Sequence, residues 1–285
     1  MDDVSISTTT QRYRVNESTV KYLSGLIDAD GSISFNFSDP SNDKNSQKVT
    51  LKVSLAASDA VDVHGFVLDL PYSTGFGSSS RFGEREQFTR WVISSRRDLE
   101  MVIPRLVKHM AVKARHFQRM FEKWKEVRGK VLSEAECDEL REFSKSSRSD
   151  AGPLKPKNFP ARAWMAGYLD GNGCFRSGRC KSGSRNGKAY DRMQCSVQAA
   201  CHINDACVLE FIQKAYGGYI KKHSASDNCM VWERNLGKSQ RSFALKFLPD
   251  MVNHSRLKKH KIEQMIAFHH QQRPSVPTPA GEAMA

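Results

Sequence analysis

The segment YLSGLIDADGSISF, residues 22–35, joins an apolar run of small residues to an alternating run across an Asp-Ala-Asp-Gly junction. The first part predicts a helix. From Ser32 onward the residues alternate: Ile33, Phe35 and Phe37 take one side, and Ser34, Asn36 and Ser38 the other. A period of two predicts a strand with one buried face. Asp28 and Asp30 then fall at the C-terminal end of the helix, where the macrodipole is already negative. Carboxylates there need a compensating partner, and a divalent cation is one candidate.

The segment recurs. WMAGYLDGNGCFRS, residues 164–177, sets Gly167 on Gly25, Asp170 on Asp28, Asn172 on Asp30 and Gly173 on Gly31, each pair 142 positions apart. A duplication at fixed offset points to a chain built twice from one unit. QKVTLKVSLAASD (47–59) alternates, with Val49, Leu51, Val53 and Leu55 inward and Lys48, Thr50, Lys52 and Ser54 outward. YDRMQCSVQAA (190–200) sets Met193, Cys195, Val197 and Ala199 against Arg192, Gln194, Ser196 and Gln198. Further strands are predicted at 73–79, 86–95, 219–224 and 228–235. Helices are predicted at 60–70, 96–107 and 111–127, and again at 204–218, 240–252 and 255–270. The chain therefore divides into an α+β half at 1–140, a Ser-, Lys- and Pro-rich linker at 141–160, and a second α+β half at 161–272. A tail at 273–285 reads as disordered.

Gly25 and Ala29 lie four apart, as do Gly167 and Gly171, so each helix carries a small-residue face against which another backbone can lie. Pairing the two copies brings Asp30 to Asn172 near a pseudo-two-fold axis. Oxygen ligands beside two negative helix ends suit a hard cation that completes its shell with phosphate oxygens. The strands form two sheets whose outward Ser, Asn, Thr, Gln, Lys and Arg residues suit the edges of bases, and a two-stranded ribbon fits the major groove. Arg81, Arg85, Lys221 and Lys222 are candidates for phosphate contacts. Asp28 and Asp170 face elsewhere on their helices and read as structural. His269 and His270 read as partners of the last helix dipole.

Composition agrees. A formal net charge of +13 on 285 residues favours a polyanionic partner. No run of 18 apolar residues suggests a membrane span, and the N-terminus lacks the apolar core of a secretory signal. Seven cysteines, an odd count with no C-x-x-C spacing in the 174–207 cluster, fit a reducing, intracellular setting better than a disulfide or zinc framework. The G-x-S-x-G and G-x-x-x-x-G-K-[ST] patterns are absent, against serine hydrolases and nucleotide-driven motors.

LSGLIDADG (23–31) differs at one position from the nine-residue motif of the LAGLIDADG homing endonucleases, and MAGYLDGNG (165–173) resembles the second copy of a single-chain, two-motif member. The resemblance spans about residues 18–270. It implies two αββαββα halves, motif helices packed at their interface, and two antiparallel sheets forming a saddle on a long, nearly palindromic DNA duplex. It implies a monomer that cuts both strands across the minor groove, leaves short 3′ overhangs and needs Mg²⁺ or Mn²⁺, with Ca²⁺ binding without supporting cleavage. Asp30 then holds metal, with Asn172 at the matching position and Gly31 and Gly173 as further metal-site residues, and Lys113 and Lys258 assist catalysis at the phosphate. The outward residues Ser34, Asn36, Lys48, Thr50 and Lys52 would read one half-site, and Arg176, Arg192, Gln194, Ser196 and Gln198 the other. Asn172 departs from the acid expected there, because it brings a carbonyl oxygen without charge. An intron maturase acting on RNA and a DNA-binding regulator remain open on the same scaffold.

Overall fold

A computed structural model describes residues 17–38, 47–57, 76–77, 81–82, 86–87, 89–151, 161–185 and 188–271. The helix predicted at 60–70, Arg85, residues 152–160 and the tail at 273–285 lie outside them, as do the side chains of Arg81 and Arg192.

The first half opens with α1 (Glu17–Asp30), β1 (Ser32–Ser38) and β2 (Gln47–Ala57). Short strands β3 (Phe76–Gly77), β4 (Arg81–Phe82) and β5 (Glu86–Gln87) precede β6 (Thr89–Ile93), α2 (Arg96–His109) and α3 (Ala114–Val127). The second half runs α5 (Arg162–Asn172), β8 (Gly173–Arg185), β9 (Lys188–His202), α6 (Cys207–Tyr216), β10 (Tyr219–His223), β11 (Ser226–Asn235), α7 (Arg241–Val252) and α8 (Lys259–Gln271). Between the halves come β7 (Val131–Leu132) and α4 (Glu134–Ala151).

Each half carries one main antiparallel sheet, and in the first half β4 and β5 pair separately as a two-stranded one. The first main sheet is ordered β1-β2-β6-β3, with β7 also pairing β2, and the second β10-β11-β9-β8. The alternation of β1 and β2 is borne out in register: Ser34 faces Lys52, Asn36 faces Thr50 and Ser38 faces Lys48, while Ile33 faces Val53 and Phe35 faces Leu51. Val49, Leu51, Val53 and Leu55 are buried under the helices. Each large aliphatic side chain so removed from water contributes about 1.5–3 kcal/mol. Ser54, expected outward, is nonetheless buried, and its hydroxyl meets that of Ser32 at 2.9 Å.

Residues 141–151, expected to be linker, are helical. The cause is local. Ser133 and Glu136 form a reciprocal capping box: the Ser133 backbone N–H and hydroxyl both donate to Glu136 Oε2 at 2.8 Å, and the Glu136 N–H donates to Ser133 Oγ. Cys137, Leu140 and Ser147 give the helix a buried stripe. His269, expected at the helix dipole, is buried with Nε2 3.5 Å from Cys195 Sγ.

α1 and α5 pack along one another at the junction of the halves. Trp164 and Tyr168, stacked at 5.1 Å between ring centroids, are among the largest fully buried side chains.

Candidate active site

The small-residue faces make the helix crossing possible. A Cβ added at Gly25 would overlap the carbonyl oxygen of Trp164, and one at Gly167 would overlap the carbonyl oxygen of Tyr22. One turn on, a Cβ at Gly171 would overlap the Ala29 side chain and stand 2.9 Å from Asp30 Oδ2. The C-terminal ends of α1 and α5 therefore meet, and Asp30 and Asn172 sit at the paired tips.

Two buried carboxylates lock this crossing. Asp28 accepts from the Ala111 N–H at 2.6 Å, the Lys113 N–H at 2.8 Å and, across the junction, Trp164 Nε1 at 2.9 Å. Asp170 accepts from the Ser255 hydroxyl at 2.6 Å and from the N–H groups of Arg256, Leu257 and Lys258 at 2.8, 3.0 and 3.2 Å. It also accepts the Tyr22 hydroxyl from the other half at 2.6 Å. Both acids are structural, as expected. Burial pushes the Asp28 carboxyl up, and its three donors oppose that.

The lysines return the interaction. Lys113 Nζ donates to the carbonyls of Ile27, Ala29 and Gly31 at 3.0, 3.1 and 2.8 Å. Lys258 Nζ does the same for Leu169, Gly171 and Gly173 at 3.0, 3.1 and 2.5 Å. A helix end leaves carbonyls without partners, and here an ammonium gathers three of them. Lys113 thus directs its three N–H donors into the helix end rather than toward a ligand, and it acts on the site through its charge. The Gly31 and Gly173 carbonyls, expected beside a metal, each already accept from a lysine. The compensating partner for the acidic helix ends is therefore built into the chain: Asp28 caps the segment that carries Lys113, and Lys113 caps the helix that carries Asp28.

Asp30 differs from Asp28. It is exposed, and among the described residues no hydrogen-bond donor meets its carboxylate. Partial burial of its surroundings raises its pKa, while Lys113 and Lys258, one from each half, pull it down. The Asn172 side chain hydrogen-bonds the Tyr168 hydroxyl. A cavity of about 550 Å³ opens beside Asp30, lined also by Lys113, His116, Arg148 and Asp205. Arg148 and Asp205 were not legible as site residues. Arg148 lies on the helix taken for linker, and Asp205 comes from the other half at the start of a helix, where an acid reads as a cap.

The donor set suits a hard cation held incompletely by protein. Asp30 offers a carboxylate that meets no hydrogen-bond donor among the described residues and Asn172 an amide, at the point where two helix dipoles end. Among the described residues no group of three His, Cys, Asp or Glu side chains could enclose an ion. A divalent ion that keeps waters and takes phosphate oxygens fits such a site.

The outward sheet faces sort the remaining candidates. Ser34, Asn36, Lys48 and Thr50 are exposed and Lys52 is half-buried, all on one face of the first sheet. In the second sheet Arg176 is exposed, and Gln194 and Gln198 are half-buried. Ser196 is a correction: it is buried at 1 % exposure, in a row between Arg176 and Asn235, where a one-carbon stem lies below longer neighbours. Lys221 Nζ is held by Glu233 at 2.6 Å. Lys222 pairs with Met230 in the register of the opposite face from Lys221, because a strand alternates.

The scaffold is a duplicated α+β unit whose two motif helices cross and end on Asp30 and Asn172. Residues 165–270 match the family model described as LAGLIDADG endonuclease. Solved structures share the fold. I-SmaMI bound to uncleaved DNA target in the presence of calcium ions superposes with a TM-score of 0.65 at 17% identity, over 88% of this chain and 90% of that one. I-SmaMI bound to cleaved DNA gives 0.64 at 20% identity, over 88% of each chain. I-GzeII, a LAGLIDADG homing endonuclease in complex with its DNA target, gives 0.62 at 14% identity, over 90% of each. No curated protein matches the sequence. The second half thus matches the LAGLIDADG endonuclease family by sequence, and the chain as a whole shares the fold of solved LAGLIDADG homing endonucleases.

Proposed function

We propose that this protein is a site-specific DNA endonuclease of the homing type, acting as a monomer on a long, nearly palindromic duplex and cutting both strands to leave short 3′ overhangs. The observation that carries the reading is the crossing at Gly25 and Gly167, which delivers Asp30 and Asn172 together at one end of the helix pair. The DNA-bound state of the solved relatives, one of them with calcium, supports it.

In this reading Asp30 holds a divalent ion such as Mg²⁺ or Mn²⁺, and Asn172 offers its carbonyl. When bound, the ion supplies Lewis-acid stabilisation for charge developing on a scissile phosphate. Lys113 and Lys258 hold the helix ends rigid and add positive charge near that phosphate. Ser34, Asn36, Thr50 and Lys52 meet one half-site, and Arg176, Gln194 and Gln198 the other. The neutral Asn172 weakens one side of the site and slows cleavage.

The test is selection of duplexes from a random pool by the full chain, followed by cleavage of the selected site with Mg²⁺. Recovery of one extended site that is then cut supports the reading. Binding of a folded intron RNA with no selected duplex would instead favour the maturase role.

A further inference from the structure

A carboxylate is out of place on a face that meets phosphates in a chain of net charge +13. Glu233 occupies such a position. Cys174, Gln198, Glu233 and Tyr219 form one row across all four strands of the second sheet, on the face carrying Gln194 and Arg176. Glu233 is 6 % exposed, while its neighbour Tyr219 is 47 % exposed. Its carboxylate accepts from Lys221 Nζ at 2.6 Å and also hydrogen-bonds the Tyr219 hydroxyl and the Gln198 side chain. On the opposite face Trp232, Val197 and Ala199 hold the strands firmly against the core.

We propose that Glu233 is a specificity-setting positioning residue, which fixes the amide of Gln198 so that its free edge reads adenine. The inference rests on the DNA-binding reading above. A glutamine amide has two N–H donors and one carbonyl acceptor. Glu233 can take only a donor. A flipped amide would set the carbonyl oxygen against the carboxylate, so one orientation is strongly preferred. One N–H is thereby committed, and the remaining N–H and the carbonyl form the donor–acceptor pair that complements adenine N7 and N6. Lys221 neutralises the acid and keeps it from repelling the backbone. Without Glu233 the amide turns freely and the preference is lost.

The experiment compares the base preference of the full chain with Glu233→Gln, Gln198→Ala and the double variant, using binding to a randomised duplex pool. We expect the wild-type chain to enrich adenine at one position of one half-site. Glu233→Gln and Gln198→Ala each flatten that position by about tenfold, leave the other positions unchanged, and do not add in the double variant. A Glu233→Gln profile that is unchanged, or weakened evenly at all positions, overturns the inference. Should Glu233→Gln fail to fold, Gln198→Ala at its half-buried position still reads the same base pair, and an unchanged profile there overturns it. A wild-type chain that enriches no duplex sequence overturns the DNA-binding reading and this inference with it.

Discussion

Tyr22 donates its hydroxyl to Asp170 at 2.6 Å across the junction of the two halves. Trp164, its counterpart 142 positions later, donates its indole N–H to Asp28 at 2.9 Å. The duplication has kept the contact and changed the donor. Each half thus holds the other through a carboxylate that also orders the lysine-bearing segment of its own half.

Tyr22→Phe deletes one donor and leaves Asp170 with Ser255 and three backbone N–H groups. The expected cost is about 1–2 kcal/mol. Urea denaturation measures it, and Trp164→Phe should cost more, because it removes the donor to Asp28 and also leaves a cavity in the buried stack with Tyr168.

The crossing itself is tested at its glycines. Gly25→Ala and Gly167→Ala each drive a methyl into a facing backbone carbonyl and should cost about 2 kcal/mol or more, because backbone cannot step aside as a side chain can. Gly178→Ala, whose added methyl meets open space, should stay within about 0.5 kcal/mol. Thermal denaturation of the three variants separates them.

Lys113→Met leaves three helix-end carbonyls without their shared donor. A loss of about 2 kcal/mol or more is expected. Lys113→Arg should not restore it, since a planar guanidinium cannot converge on three carbonyls as a compact ammonium does. Chemical denaturation of both variants checks this.

His116 is buried, its Nδ1 3.1 Å from Ser147 Oγ, tying α3 to α4. Burial, joined by Arg148 and Lys113, lowers its pKa from 6.5 to about 4. Between those values the unfolded chain binds the proton and the folded one does not, so stability falls as pH falls from 6.5 to 4. The loss attributable to this residue is about 2 kcal/mol after allowance for screening. Denaturation at pH 7 and at pH 4.5 should show a smaller difference for His116→Gln than for the parent chain.

The repeat, the crossing faces and the inward sides of β1 and β2 were legible because each rests on periodicity or on a fixed offset within the chain. Asp28 and Asp170 were legible as structural from their place on the helix. The roles of Lys113 and Lys258 were not. Their positions could be aligned, but a lysine at a helix start looks solvated until the opposite helix end is folded against it. Residues 141–151 have a Ser- and Lys-rich composition that points to a linker, yet the Ser133–Glu136 box eight residues upstream starts a helix that runs through them. Ser196 and Glu233 show the limit of alternation: it assigns a face but not depth or cross-strand partners.

The proposed function requires Asp30 and the residue at 172 to stand over the scissile phosphates. The direct measurement is strand-by-strand cleavage of a selected duplex with Mg²⁺ by the parent chain, Asp30→Asn and Asn172→Asp. Cleavage should vanish in Asp30→Asn and quicken by about tenfold or more on at least one strand in Asn172→Asp. Cutting by Asp30→Asn at the parental rate would contradict the account.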